Sequence, residues 1–192
     1  MDSFNFTLHN GATLVPSQFG DAVDLKGNRE YAALGNQRDS CSGNLETCSN
    51  GLTINFFINF RSVDDNAYVL SSSSYDIYVN DAKLVVEFFM GGKAWTARSR
   101  RLETGKWYRV DISWDEDKGL QLYLDKFREA LVTEPRMQSR SSSDHVVYIG
   151  RSGNKTAMSS YVAPNALIDQ IEFWYANRDH VRAFGFLEDG GL

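Results

Sequence analysis

The chain predicts an all-β protein, two antiparallel sheets packed face to face, and three observations carry the prediction. The stretch Gly105 to Asp125, GKWYRVDISWDEDKGLQLYLD, joins two alternating segments through a tight acidic turn. Leu52 to Phe60, LTINFFINF, alternates without interruption. Turn residues recur at short intervals along the chain, while helical periodicity is nearly absent.

In the first stretch Tyr108, Val110, Ile112 and Trp114 fall on one face, and Arg109, Asp111 and Ser113 on the other. Leu120, Leu122 and Leu124 repeat the pattern, so each segment reads as a strand with one dry side. Asp115 to Lys118 supply polar turn residues, and Gly119 the backbone freedom a short hairpin needs. In the second stretch Leu52, Ile54, Phe56, Ile58 and Phe60 line one face, making it the clearest core strand.

The remaining strands are read in order as Ala22 to Leu25, Tyr31 to Leu34, Tyr68 to Ser71, Tyr75 to Val79 and Lys83 to Met90. Gly91-Gly92 then marks a hairpin into Ala94 to Arg98, followed by Arg128 to Thr133. Polar residues from Arg136 to Asp144 read as a long loop before a strand from His145 to Ile149, and a final strand covers Ile168 to Tyr175. Asn177 to Gly185 is the one helix candidate, with Val181 and Phe184 on one face. No repeat or linker divides the chain, so one domain is expected over 1–192, with its core from about Gly20 to Asp179.

Composition agrees. An apolar fraction of 42%, with twelve Phe, nine Tyr and four Trp, is ample for a core. A formal charge of −5 gives no long-range attraction for nucleic acid, which is excluded as a partner class. No apolar run is long enough to insert into a membrane, and the start MDSFNF has no signal-peptide pattern. Homo-oligomerisation is compatible with everything in the sequence.

Cys41 and Cys48 lie in a polar, glycine-containing loop, SCSGNLETCSNG. A disulfide between them would close a small loop, worth roughly 2.5 kcal/mol in the chain-entropy model. Redox or metal use lacks a CxxC motif or neighbouring His to complete a site. Asn5-Phe6-Thr7 and Asn154-Lys155-Thr156 are glycosylation sequons, with acceptors Asn5 and Asn154. Together these features point to an oxidising compartment and a mature extracellular protein or ectodomain; the alternative is a cytosolic chain with two idle thiols.

The order of motifs resembles laminin-G-like domains, the concanavalin-A-like jelly rolls that also include pentraxins. GDAVDLKGNREYAALG is similar to that family's opening strands, and CSNGLTINFFINF to its next element. GKWYRVDISWDEDKGLQLYLD is similar to its Trp-containing hairpin, and VVYIGRSG with ALIDQIEFWYANRD to its closing strands. The short cysteine loop resembles a variant of animal cell-surface modules. The resemblance implies a non-catalytic adhesion or recognition module of a larger receptor or matrix protein, with a protein or glycan ligand. A secreted lectin and a glycan-active enzyme of the same fold are the alternatives.

Site expectations follow from both readings. Glycoside hydrolysis needs two carboxyl groups set about 5–5.5 Å apart for retention. No acidic run on a single strand offers them, so no catalytic residue is expected. Asp115, Glu116 and Asp117 read as a solvated turn, and His9, His145 and His180 are far apart. The resemblance implies a rim Ca²⁺, for which Asp64 and Asp65 are the candidate ligands, with Asp81 as a partner. Arg98, Arg100 and Arg101, flanked by Lys93 and Lys106, read as a patch for an anionic glycan. Phe57, Phe89, Trp95, Trp107, Tyr123 and Trp174 fall on nominal outer faces, to be stacked against sugar rings, set in a protein interface or covered by loops.

Overall fold

The computed structural model describes residues 6–138, 140, 144–153 and 161–183. The strands are β1 (Thr7–His9), β2 (Thr13–Pro16), β3 (Asp21–Lys26), β4 (Tyr31–Asn36), β5 (Leu52–Phe60), β6 (Ala67–Ser71), β7 (Tyr75–Asn80) and β8 (Lys83–Met90). They continue as β9 (Lys93–Arg101), β10 (Trp107–Asp115), β11 (Gly119–Leu124), β12 (Phe127–Val132), β13 (Arg136–Met137), β14 (Val146–Ile149) and β15 (Asn165–Trp174), followed by one short helix, α1 (Arg178–Ala183).

These strands form two antiparallel sheets. The larger has the order β1-β4-β14-β6-β7-β8-β9-β13, the smaller β12-β11-β10-β5-β15-β3-β2. Such an order, with sequence neighbours often far apart in space, is the signature of a jelly-roll sandwich.

The dry faces predicted from alternation meet in register. On the smaller sheet Ile112 stands opposite Ile54 on β5 and Leu122 on β11, while Trp114 stands opposite Leu52 and Leu120. All of these side chains are fully buried, in one core with Phe56, Phe60, Phe88 and Trp95. Burial of this apolar area is what holds the sheets together.

In the larger sheet two-residue hairpins join β7 to β8 and β8 to β9. Asn80 pairs Lys83 across Asp81-Ala82, and Met90 pairs Lys93 across Gly91-Gly92. All four turn residues have φ between 52° and 75°, the left-handed pair that matches the twist of flanking strands.

That geometry corrects one expectation. The turn places Phe89 opposite Ala94 and Phe88 opposite Trp95, so Trp95 shares the inward face of Phe88. Trp95 is therefore a core residue, 1% exposed, with its ring 5.5 Å from Trp114 in an edge contact, and not an outer-face aromatic. The region read as a loop from Arg136 begins with β13, which pairs β9 through Arg136–Ala94 and Met137–Lys93. The short strands β1 and β2 have too few residues to show a period, and they edge the two sheets only through pairing with β4 and β3.

Candidate functional site

On β6 to β9 the residues that alternate with the core rows occupy the outer face of the larger sheet. One row runs Tyr68, Tyr78, Val85, Arg98 across four strands, and a second runs Tyr148, Ser71, Asp76, Glu87, Thr96 across five. Tyr68 and Tyr78 stack at 5.2 Å with an interplanar angle of 21°. Farther along the same face His9 stacks on Tyr31 at 4.4 Å, and Tyr31 meets the edge of Tyr148 at 6.0 Å. The Arg151 guanidinium lies 4.8 Å from the Tyr31 ring centre and 4.9 Å from that of Tyr148. His9, Tyr31, Tyr68 and Tyr78 remain half-buried.

The polar row is held in a hydrogen-bond network. Arg140 donates from Nη1 to Asp76 Oδ2 (2.6 Å) and from Nη2 to Asp76 Oδ1 (3.1 Å), and Nη2 also reaches Ser72 O at 2.9 Å. Its guanidinium covers Phe89 at 4.8 Å. Glu87 Oε1 accepts from Thr96 (3.2 Å) and Arg136 (2.8 Å), and Tyr148 donates to Asp144 at 2.9 Å.

Burial sets the electrostatics of this row. It pushes the Asp76 carboxyl up to about 6, with the Glu87 charge acting in the same direction against the Arg140 pair. Burial and then the Glu87 carboxylate push the Tyr78 phenol up to about 12.

The basic patch expected at Arg98, Arg100 and Arg101 is divided. A register shift falls between Lys83 and Val85 on β8, opposite this part of β9. Arg98 stays exposed on the outer face beside Tyr78. Arg100 crosses to the other sheet, pairing with Glu129 and with Asp125 at 3.2 Å. Arg101 pairs with Asp81 at 2.7 Å.

The carboxylates expected to hold Ca²⁺ meet protein donors. Asp65 Oδ1 accepts the Asp81 backbone N–H at 2.7 Å, and Asp64 accepts the Ser62 hydroxyl. No group of three or more His, Cys, Asp or Glu side chains gathers around a cation position among the described residues.

In the acidic turn Asp115 Oδ1 accepts the N–H groups of Asp117 (3.0 Å) and Lys118 (3.1 Å), and Oδ2 accepts Asn177 Nδ2 at 3.0 Å. Burial opposes its ionisation, but these hydrogen bonds outweigh burial and hold the carboxyl below the usual range. It is a turn-closing residue.

Several outer aromatics are covered, as one branch of the sequence reading anticipated. Phe19 stacks on Phe57 at 3.9 Å and meets Trp107 at 5.5 Å, while Arg178 lies 3.7 Å from the Tyr123 ring centre. Cys41 and Cys48 form a disulfide. Asn5 and Asn154 lie outside the described residues.

Sequence reasoning missed the Asp76–Glu87 pair, because it looked for acidic residues along one strand. The two are cross-strand partners on β7 and β8. The only trace in the sequence is the odd polar residue within each aromatic-rich segment, YDIYV and VEFF.

Comparison with known proteins places this sandwich. No curated protein sequence matches the chain. Domain 4 of AbnA, a GH43 extracellular arabinanase from Geobacillus stearothermophilus, in complex with arabinotriose, is similar at TM-score 0.65 and 12% identity, covering 90% of this chain and 82% of that one. A botulinum neurotoxin type C structure, described as showing cell entry dependent upon interaction with two ganglioside molecules, is similar at TM-score 0.61 and 13% identity, over 94% of this chain and 46% of that one. The botulinum neurotoxin serotype D ligand binding domain in complex with N-acetylneuraminic acid gives TM-score 0.59 and 10% identity, over 95% and 46%. The chain thus spans less than half the length of these toxin chains, and at such identities the likeness is one of fold. A laminin G family model, described as the concanavalin A-like lectin/glucanases superfamily, matches residues 26–180. With that match running from the end of β3 into α1, the chain belongs to the concanavalin A-like lectin/glucanases superfamily.

Proposed function

We propose that the domain is a non-catalytic extracellular recognition module, one unit of a larger cell-surface receptor or matrix protein, that holds a glycan against the outer face of the larger sheet. The carrying observation is the half-buried stacked pair Tyr68–Tyr78 beside the oriented, partly exposed carboxylate of Glu87. Sugar rings offer C–H faces that pack on aromatic rings, and hydroxyls that bond to oriented charged groups. The Cys41–Cys48 disulfide supports an oxidising compartment. Similarly folded structures described with arabinotriose and N-acetylneuraminic acid supply fold-level precedent.

Glycan-array binding followed by calorimetry tests the reading. Tyr68→Ala and Tyr78→Ala should weaken the best neutral glycan about tenfold, the worth of one or two aromatic contacts. Full affinity in both folded variants would remove the outer face from consideration.

A hydrolytic reading has one observation in its favour, the cross-strand carboxylates Asp76 and Glu87 with Asp76 lifted to about 6. Both Asp76 oxygens accept from Arg140, and the pair is buried, which favours a scaffold over a general acid. Release of reducing sugar by the wild-type protein, abolished in Asp76→Asn and Glu87→Gln, would reverse that preference.

A further inference from the structure

The chain contains two Asn-Gly dipeptides, Asn10-Gly11 and Asn50-Gly51. In such a pair the glycine nitrogen can attack the asparagine side-chain carbonyl carbon, because glycine has no Cβ to obstruct the approach. The two pairs are chemically identical, so the fold sets any difference in their reactivity.

Asn10-Gly11 makes the tight turn between β1 and β2. The φ angles are 57° at Asn10 and 94° at Gly11, the left-handed pair these residues adopt most readily. Ala12 N–H donates to His9 O at 3.1 Å across the turn, and the Gly11 N–H meets no acceptor among the described residues. Both residues are exposed, and a Cβ on Gly11 would touch only Glu30 Cγ, at 4.0 Å. One exposed hydrogen bond holds the Asn10 side chain, from Nδ2 to Arg29 O at 2.9 Å.

Asn50-Gly51 is pinned from several sides. Asn50 O accepts the Asn177 N–H at 2.8 Å, and the Gly51 N–H donates to Cys48 O at 3.4 Å. Gly51 is buried, with the Trp114 carbonyl oxygen against the place a Cβ would take. Ring closure at Asn50 therefore needs a local opening of the fold, whereas at Asn10 it needs only the loss of one exposed hydrogen bond.

We infer that Asn10 is a spontaneous modification site, converting to aspartate and isoaspartate in the folded protein, and that the fold protects Asn50. Hydroxide takes the Gly11 amide proton, and the nitrogen electron pair forms a bond to Asn10 Cγ. The Cγ–Nδ2 bond breaks, and the nitrogen takes a proton from water and leaves as ammonia. A second water opens the resulting succinimide at either carbonyl, giving aspartate by one route and isoaspartate by the other.

Conversion has a structural consequence. The product has no Nδ2 donor and sets a carboxylate against Arg29 O, so two acceptors face each other. Isoaspartate also adds a methylene to the backbone of the turn. That turn carries β1, where Thr7 to His9 pair with Tyr31 to Ala33 and the His9 ring stacks on Tyr31. Modification at Asn10 thus loosens β1 at the edge of the larger sheet.

The test ages the folded protein at mildly alkaline pH beside a sample unfolded in urea, with peptide mapping by mass spectrometry and isoaspartate labelling by a carboxyl methyltransferase. In urea the two asparagines should convert at similar rates. In the folded protein Asn10 should convert at least about tenfold faster than Asn50, the worth of a modest local opening. Gly11→Ala should slow conversion of Asn10 at least about fivefold, since a Cβ then crowds the attacking nitrogen. The position is exposed, so the variant should fold, with the thermal midpoint as the control. Hydrogen exchange at Leu8 should quicken in the aged protein.

Conversion of Asn50 as fast as Asn10 in the folded protein overturns the inference, as does an Asn10 that stays intact while the urea sample converts. Unchanged exchange at Leu8 after full conversion overturns the loosening of β1.

Discussion

Arg140 closes a two-point ion pair over Asp76 on the outer face of the larger sheet, at 2.6 and 3.1 Å, with both side chains almost fully buried. A charge pair in such a place is costly to break from one side, because the remaining charge stays buried. The folded Asp76 carboxyl titrates near 6 against 3.8 for the free group. Its contribution to stability is therefore fully present below about 3.8 and is lost as pH rises through about 6. Arg140→Ala should cost about 3 kcal/mol at pH 8 and markedly less at pH 4, where Asp76 is protonated. Urea unfolding at the two pH values measures this. A cost independent of pH would show that Asp76 does not titrate in this window.

The Cys41–Cys48 bridge closes a short loop between β4 and β5. Its loss should lower stability by about 2.5 kcal/mol through the entropy regained by the unfolded chain. Denaturant midpoints with and without reductant, checked against the double variant Cys41→Ser/Cys48→Ser, report the difference. Coincident midpoints would mean that the hydrogen bonds from Leu45 N–H to Ser74 Oγ (3.1 Å) and from Ser73 Oγ to Gly43 O (2.9 Å) alone fix the loop.

Gly119 starts β11 with φ +81°, and a Cβ there would stand 2.1 Å from Val132 O. Backbone conformation and space both forbid a side chain. Gly119→Ala should destabilise by about 3 kcal/mol, combining left-handed strain with a backbone clash. Gly92→Ala, also at positive φ but with open space around it, should cost only about 1 kcal/mol. Thermal unfolding of the two variants separates the terms, and equal losses would refute the clash.

Calcium should not stabilise the rim at Asp64 and Asp65. Asp81 is held by Arg101 at 2.7 Å, and Asp65 already accepts the Asp81 N–H. A cation needing six to eight oxygens would have to displace these donors. A site with Kd about 1 mM would add about 1 kcal/mol at 5 mM Ca²⁺, a rise of about 3 °C. No rise is expected in a melting titration, and a rise lost in Asp65→Asn would restore the calcium site.

The sequence by itself determined the strands and their dry faces wherever alternation was long enough to read. The rows from Leu52 to Phe60 and from Tyr108 to Trp114 meet in the core as their spacing implied. Alternation is a local steric property of an extended backbone, so it survives without knowledge of the partner strand. The short cysteine loop was legible for the same reason, since its closure depends on nearby residues alone.

Tertiary structure decided everything that depended on register and strand order. A two-residue turn at Gly91-Gly92 set Trp95 inward beside Phe88, where a reading of its own strand had put it outward. The basic run at Arg98 to Arg101 was visible, but the acidic partners of Arg100 and Arg101 come from the turn residues Asp81 and Asp125 and from Glu129 on β12. Asp76 and Glu87 became neighbours only when β7 and β8 paired, and Arg140 reached Asp76, and Arg136 reached Glu87, from segments far along the chain. Charges and aromatics on a sheet face acquire their chemistry from cross-strand neighbours. Those neighbours are chosen by the packing of the whole sandwich, which no local pattern encodes.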